Sequence, residues 1–322
     1  MTNELQAAPE AGKKVKKEKQ PFFGAWLKYK LKEIRKNWVL YLFMLPFLLV
    51  FVVLTIMPVV TAIYYSFTYF NVLEAPKFIF WDNYTRMFIA DDLFMTALKN
   101  TLLIAVILGP GGYLLSLFFA WLINELSPKV RAFMTLIYYA PCLANVYAVW
   151  KLIFGSDAYG YLNGILLSSG ITLQNIRWLE DVNYIMPCII IVLLWGSLGV
   201  SFLSFIAGLQ NVDRTLYEAG ALDGVKNRWQ ELWYITLPYM RPQLMFGAIM
   251  SITGAFSVGD QITALAGYPT QDYVAHTLLL HIQDYGGSRM EMGYACALTV
   301  VLFLLMVFGN KLVQKIINKV GD

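Results

Sequence analysis

The chain has 322 residues, of which 58% are hydrophobic and only 14% are charged, and its mean hydropathy is +0.55. This composition excludes an ordinary soluble domain and is typical of an integral membrane protein. The net charge of +4 comes from basic residues in the N-terminal tail and beside apolar runs, which argues against a nucleic-acid-binding surface.

The N-terminal region, residues 1–37, is predicted to be a cytoplasmic basic tail. Residues 1–19 are polar and lysine-rich, which favours disorder, and no cleavable signal peptide is expected because the first apolar run starts too late. Residues 22–37 alternate aromatic and aliphatic side chains with lysines and arginines, a pattern typical of a helix lying on the inner membrane surface. Residues 38–322 then form the membrane domain.

Six apolar runs in that domain, uncharged apart from Asp260 in the fifth, are each long enough to cross a bilayer, which takes about 20 apolar residues. They lie at 39–63, 101–123, 132–150, 185–208, 243–263 and 292–310. The predicted fold class is therefore all-α, with six transmembrane helices. Prolines and glycines within several runs predict bends that packed neighbours can accommodate.

The positions of lysine and arginine predict the orientation. Nineteen of the 25 fall in the tail, in 124–131, in 211–242 and at the C-terminus. Because short cytoplasmic segments are enriched in these residues, both termini and the 211–242 connection are predicted to be cytoplasmic. The loops at 68–97, 155–184 and 264–290 are then predicted to face outward.

The connection at 211–242, here called the elbow, carries eight charged residues, and such charges cost roughly 2.5–3.5 kcal/mol each at a bilayer centre. Asp213 predicts the cap of a first helix over 214–222, and Asp223-Gly224 predicts a turn. Asn227, with Gln230 three residues later, predicts a second helix that extends to Leu237. Apolar side chains on both helices are expected to be buried, at Leu216, Trp229, Leu232, Trp233 and Ile235.

The elbow resembles the EAA loop of the membrane subunits of ATP-binding-cassette importers. That loop has Glu-Ala-Ala, an Asp-Gly pair two residues on, and Ile-x-Leu-Pro, and the matching residues are Glu218-Ala219-Gly220, Asp223-Gly224 and Ile235-Thr236-Leu237-Pro238. Gly220 replaces the second alanine and keeps a small side chain. Weaker pieces resemble the sugar-permease branch, the MalF/UgpA type: Asn83-Tyr84, Gly160…Asn163, Asp260-Gln261 and Met292-Gly293-Tyr294-Ala295.

The resemblance implies a type I importer permease in a bacterial plasma membrane, moving a sugar or oligosaccharide by alternating access. It implies three partners: an ATP-binding subunit dimer, a second permease subunit and an extracellular solute-binding protein. The residues implied to contact the ATPase are Glu218, Ala219, Gly220, Asp223, Gly224, Leu237 and Pro238.

Polar residues within the apolar runs predict a path for a polyhydroxylated solute. The candidates are Asn145, Trp195, Ser197, Ser201, Thr253 and Ser257. Asp260 and Gln261 come near the outer end of the fifth run, which suits an outer gate. The alternative for the serines and threonines is close helix packing, which the same residue types favour.

No nucleotide-binding loop, metal-ligand spacing or catalytic motif occurs, so no catalytic residue, metal or cofactor is expected. His276 and His281 are expected to be surface residues of an outer loop. Cys142, Cys188 and Cys296 are expected to be unpaired core residues. Two alternatives stay open: the same kind of importer for glycerol-3-phosphate or another polar solute, and a stand-alone secondary transporter.

Overall fold

The computed structural model describes Lys32, residues 35–143 and residues 147–317. Most of the predicted basic tail and Asn145 lie outside these described residues. The described residues fall into two compact units, which divide between residues 60 and 61.

The described part of the chain is almost entirely helical. Its α-helices are α1 Trp38–Phe51, α2 Met57–Tyr65, α3 Asp82–Ile89, α4 Asp92–Asn124, α5 Pro128–Leu143, α6 Tyr147–Ile153, α7 Tyr161–Ser168, α8 Val182–Gly196, α9 Val200–Gln210, α10 Arg214–Leu222, α11 Arg228–Glu231, α12 Leu237–Tyr239, α13 Arg241–Phe256, α14 Asp260–Ala266, α15 Leu278–Gln283 and α16 Met292–Ile317. Wide π-helical turns follow α1, α11 and α15 at Val52–Ile56, Leu232–Thr236 and Asp284–Ser288, and a 3-10 turn covers Gln271–Tyr273. Two short antiparallel strands, β1 Thr68–Tyr69 and β2 Lys77–Phe78, pair Thr68 with Phe78.

The apolar stretch Trp38–Tyr65 is helical throughout, despite two prolines. Proline cannot donate a backbone hydrogen bond to the preceding turn. The π turn Val52–Ile56 comes just before Pro58 and widens the helix there, since the N–H of Met57 donates to the carbonyl of Val52.

The 33-residue helix α4 is central to the second unit and packs against α9 and α13. Its small residues allow close approach. A Cβ on Gly112 would lie 2.7 Å from the Oγ of Ser197. Between α9 and α13, a Cβ on Gly247 would lie 2.4 Å from the ring of Phe205. Helices in a membrane associate through such small-residue contacts because lipid provides no hydrophobic driving force.

Two of the predicted spans are interrupted at the same short motif, Ser-x-Gly. The run predicted at 185–208 is divided into α8 and α9 at 197–199, and the run predicted at 243–263 is divided into α13 and α14 at 257–259. At the first break the Ser197 hydroxyl donates to the carbonyl of Leu194 at 2.6 Å, and the Gly199 N–H donates to the carbonyl of Ser197 at 2.8 Å. These local bonds compete with the helical ladder.

Four described helical stretches are long and apolar enough to cross a membrane: Trp38–Tyr65, Asp92–Asn124, Val182–Gln210 and Met292–Ile317. A fifth stretch qualifies if α5 and α6, whose axes differ by 83°, are counted together as one bent span. The predicted fifth run contributes only a 16-residue and a seven-residue helix because of its break.

Two predictions about individual residues are wrong. His276 and His281 are each only 1% exposed, since a hydrogen-bonded chain through Asp91 holds them inside the protein. Cys142 is exposed and not a core residue, because it lies where α5 ends; Cys188 is buried and Cys296 is half-buried. All three cysteines are free, as expected.

Candidate functional site

A cavity of about 290 Å³ lies beside the two helix breaks. Ser197 and Gly199 of the first break line it, together with Val258 of the second. Its other lining residues come from α4, α5, α6, α8, α9, α13 and α14, and none of those in the described part of the chain is charged. An uncharged wall with hydroxyl and amide groups suits a neutral, hydrogen-bonding ligand.

Three of the residues predicted for the solute path and gate line this cavity: Ser197, Ser201 and Gln261. Ser201 is 4% exposed, and its Oγ lies 2.9 Å from the carbonyl of Gly247 and 3.0 Å from the Oγ of Ser251. Its hydroxyl therefore also joins α9 to α13.

The other predicted path and gate residues lie elsewhere. Trp195 is 41% exposed and packs edge-on against Trp150, with ring centres 5.5 Å apart. Thr253 and Ser257 are exposed and bond to each other, the Ser257 hydroxyl donating to the Thr253 carbonyl at 2.8 Å. Asp260 accepts a hydrogen bond from the side chain of Gln283 at 2.9 Å.

Sequence reasoning missed Ser251, Tyr147 and Cys142, which also line the cavity. On the fifth run, the hydroxyl pattern selects the face that carries Thr253 and Ser257. The cavity face instead carries Met250, Ser251, Gly254, Ala255 and Val258. The helical spacing of its small residues is the signal that could have identified this face.

The elbow forms the two helices that its sequence predicts. Helix α10 covers Arg214–Leu222, and the Asp213 side chain accepts the N–H of Thr215, which also lowers the pKa of that carboxyl group. Gly224 takes the positive φ of 94° that the turn requires. Asn227 accepts the N–H of Gln230 at 2.9 Å, whereas Gln230 reaches back to the N–H of Lys226.

Helix α11 is shorter than predicted, because the π turn Leu232–Thr236 follows it and α12 contains Pro238. As in the first span, the wide turn comes just before a proline. The hydroxyl groups of Tyr217 and Thr236 lie 2.9 Å apart and link the two arms of the elbow.

The packing of Gly220 gives a reason for the departure from the EAA pattern. Gly220 is buried, and a Cβ there would lie 2.6 Å from the Cδ1 of Ile235. The elbow therefore closes more tightly than a second alanine would permit without movement of Ile235.

The expected burial is wrong for the elbow's tryptophans and for Leu216, which is also exposed; Leu232 and Ile235 are half-buried. Trp229 and Trp233 are 64% and 63% exposed, and Leu222 at the end of α10 is 90% exposed. Trp229 packs in a tilted arrangement against Trp121 of α4, with ring centres 4.8 Å apart. The elbow thus presents apolar side chains on a charged surface.

The elbow also contacts the end of α4. Arg228 forms ion pairs with Glu125, at 3.1 Å, and with Glu231, at 2.9 Å. Glu218 lines a cleft of about 620 Å³ between the elbow and the end of α4. Of the other residues implied to contact the ATPase, Leu237 is buried and Pro238 is half-buried. Ala219 and Asp223 are exposed.

These features define a class of protein: a multi-pass membrane protein with broken helices around an uncharged cavity and a folded hydrophilic elbow between two of its spans. The chain belongs to the family described as binding-protein-dependent transport system inner membrane component, whose model matches residues 21–321.

The similar proteins are permease subunits of transport systems. The probable ABC transporter permease protein YesP of Bacillus subtilis is 30% identical over 290 residues, covering 88% of this chain and 92% of YesP. The arabinooligosaccharides transport system permease protein AraP of Bacillus subtilis is 30% identical over 274 residues, 83% of this chain and 84% of AraP. A chain of a bacterial alginate ABC transporter, solved in complex with an alginate pentasaccharide-bound periplasmic protein, matches 90% of this chain and 99% of its own length with a TM-score of 0.70 and 25% identity. The chain therefore has the all-helical fold of an ABC importer permease.

Proposed function

We propose that this chain is the permease subunit of an ATP-driven importer for a neutral sugar or oligosaccharide, with six spans and both termini in the cytoplasm. A solute-binding protein outside the membrane delivers the solute, and a second permease subunit completes the pathway. The names of the relatives, which include an arabinooligosaccharide permease, support this solute class.

The exposed apolar surface of the elbow is the observation that carries the proposal. Three large apolar side chains of this charged connection, Leu222, Trp229 and Trp233, are exposed, which suits a surface that another protein covers. The chain contains no phosphate-binding loop of its own. The ATPase dimer therefore docks on the elbow, and Glu218, Ala219, Gly220, Asp223 and Gly224 form the contact, supported from behind by Leu237 and Pro238.

The charge of the cavity favours a neutral solute over glycerol-3-phosphate. A phosphate group needs cationic or N–H partners when it leaves water. The cavity lining in the described part of the chain contains no lysine, arginine or histidine, and residues 144–146 of the sequence add none. The broken helices beside it suit a site where two halves of a transporter move relative to one another.

The test is uptake by proteoliposomes that contain the complete complex, with radiolabelled neutral oligosaccharides and glycerol-3-phosphate as probes. Uptake is expected to require ATP inside and the solute-binding protein outside, and to be selective for a neutral sugar. Uptake by this chain alone, driven by an ion gradient, would establish the secondary transporter instead.

The Glu218→Lys variant tests the docking surface in the same assay. A reversed charge at a protein interface is expected to reduce ATPase copurification and uptake on the order of tenfold. Glu74→Lys is the matched control, because Glu74 is also exposed but lies in the loop between β1 and β2. Equal copurification of the ATPase with both variants would show that Glu218 is not at the interface.

A further inference from the structure

A chain of hydrogen bonds runs through the interior at the end of α4 that is remote from the elbow. The imidazole nitrogens of His276 and His281 lie 2.9 Å apart, and His281 Nε2 lies 2.8 Å from Asp91 Oδ2. The hydroxyl of Tyr294, at the start of α16, donates to the same Asp91 oxygen at 2.7 Å. We call Asp91, His276, His281 and Tyr294 the latch.

The direction of the bonds in the latch follows from Asp91. An ionised carboxylate only accepts, so His281 must donate from Nε2. A neutral His281 then accepts at Nδ1, and His276 must donate from its Nε2. The whole chain is satisfied when both histidines are neutral, and no group of His, Cys, Asp and Glu in the described residues could hold a metal ion instead.

The segment that carries the two histidines is bonded directly to the break in the fifth span. The hydroxyl of Thr277, next to His276, donates to the carbonyl of Val258 at 2.8 Å. The side chain of Leu279 packs so closely on Gly259 that an added Cβ would lie 3.0 Å away. Val258 itself lines the cavity, so the latch acts on a wall of the proposed solute site.

The same segment is fixed to α4. The Asn100 side chain donates to the carbonyls of Val274 and His276, at 2.8 and 2.9 Å, and the N–H of Leu278 donates to the hydroxyl of Thr101 at 2.8 Å. The segment that carries His276 and His281 is therefore held between the continuous helix α4 and the broken run of α13 and α14.

We propose that the latch positions the break at 257–259 and releases it when the buried imidazole of His276 takes up a proton. The effect of this release on the solute site rests on the proposed transport function. The positioning of the break by the latch does not depend on transport.

The surrounding charges are largely paired with one another. Arg86 pairs with Glu291, and Arg289 pairs with Asp284, which leaves Asp91 to the latch. The tyrosines at 268, 273 and 285 pack against the two imidazole rings, and Asp92 follows Asp91 in the chain.

The sign of the pH effect follows from two groups. Burial, and then repulsion from His281, lowers the pKa of His276 to about 4. Burial acts to raise the pKa of Asp91, but the hydrogen bonds from Tyr294 and His281 hold it below its usual value. A lowered pKa means that the closed latch binds fewer protons than the open one. The closed latch is therefore most stable relative to the open one above the ordinary histidine pKa of about 6.5, and this stability is lost as the pH falls toward 4.

The experiment uses a cysteine at Val258, which is only 3% exposed. Val258→Cys is made in the full chain with Cys142, Cys188 and Cys296 changed to alanine, and the chain is kept in membranes with its partners. The probe is a water-soluble methanethiosulfonate, and each rate is divided by that of N-acetylcysteine at the same pH, which removes the change in thiolate fraction.

The normalised rate of this parent protein is expected to rise on the order of tenfold from pH 7 to pH 5. His276→Gln keeps a donor for His281 but does not titrate, so its rate should stay the same at both pH values. A parent whose rate is independent of pH, or a His276→Gln variant that keeps the full response, would overturn the proposal.

Asp91→Asn separates the latch from the helix cap. Oδ1 of Asp91 caps α4 by accepting from Leu93 and Phe94, whereas Oδ2 serves the latch. Asparagine keeps the capping oxygen but turns a donor toward His281 and Tyr294, so the rate at pH 7 should already be high. Asp181→Asn, at the cap of α8, is the control and should leave the rate unchanged. The labelling requires neither ATP nor solute, so its failure and failure of uptake are distinguishable.

Discussion

At the scale of single residues, glycines determine how closely the helices around the cavity approach. Gly112 of α4 lies against Ser197, where the first break begins, and its missing side chain leaves room for the Ser197 Cβ. Gly109, one turn earlier on the same helix, has open space around the position of a Cβ. The two glycines therefore offer a matched pair of substitutions.

Gly112→Ala is expected to destabilise the protein by about 1–3 kcal/mol, because the new methyl group would meet the Cβ of Ser197 at 2.8 Å and a Cβ is fixed by the backbone. Gly109→Ala should cause no loss of stability. Thermal unfolding of both purified variants in detergent checks the prediction, and equal melting temperatures would contradict it.

Gly220 predicts a coupling between the two arms of the elbow. Gly220→Ala should be costly alone, and Ile235→Val in the same chain should recover stability, since it removes the methyl group that lies 2.6 Å from the new Cβ. The interaction between the two substitutions, measured by a double-mutant cycle of unfolding in detergent, should be favourable by about 1 kcal/mol. Strict additivity would show that the elbow adjusts without strain.

At the scale of elements, the two Ser-x-Gly breaks lie in the fourth and fifth runs, which precede and follow the elbow in the sequence. Both breaks contribute residues to the wall of the cavity. Only one face of α13 borders it. Met250 lines the cavity, whereas Thr253 of the same helix does not. This gives a direct test of which face belongs to the solute path.

Met250→Trp is expected to reduce uptake at least tenfold by filling the cavity, with copurification of the partners unchanged. Thr253→Trp is the control on the other face and should transport at a rate close to the parent. If Thr253→Trp reduced proteoliposome uptake more than Met250→Trp, the solute path would run along the face that carries Thr253 and Ser257, as the sequence favours.

The elements differ in how far their sequence predicts them. Helix α10 begins and ends at the predicted residues because its signals are local: a capping aspartate, a turn glycine and a run of helix-forming residues. The breaks at 197–199 and 257–259 were not predicted, since hydropathy continues across them and the interruption depends on hydroxyl–carbonyl bonds and close helix contacts. The burial of His281 depends on Asp91, which is 190 residues away in the chain, and no local pattern signals that contact.

At the scale of the whole second unit, α4 is the element that contacts both functional regions. Its Trp121 end packs against Trp229 of the elbow, and its Asn100 end holds the segment that carries His276. It has no break, unlike the two runs that flank the elbow in sequence. Movement of a docked ATPase would therefore reach the cavity both through the flanking helices and through α4.

Leu222 provides the most direct measurement of whether the elbow docks on a separate ATPase. A photo-crosslinking amino acid placed at this 90%-exposed position, in the full complex in membranes, reports its neighbour without depending on activity. If the elbow docks on the ATPase, a covalent adduct with the ATP-binding subunit is expected, identified by mass spectrometry. Adducts with lipid or with the solute-binding protein, and none with the ATPase, would contradict it.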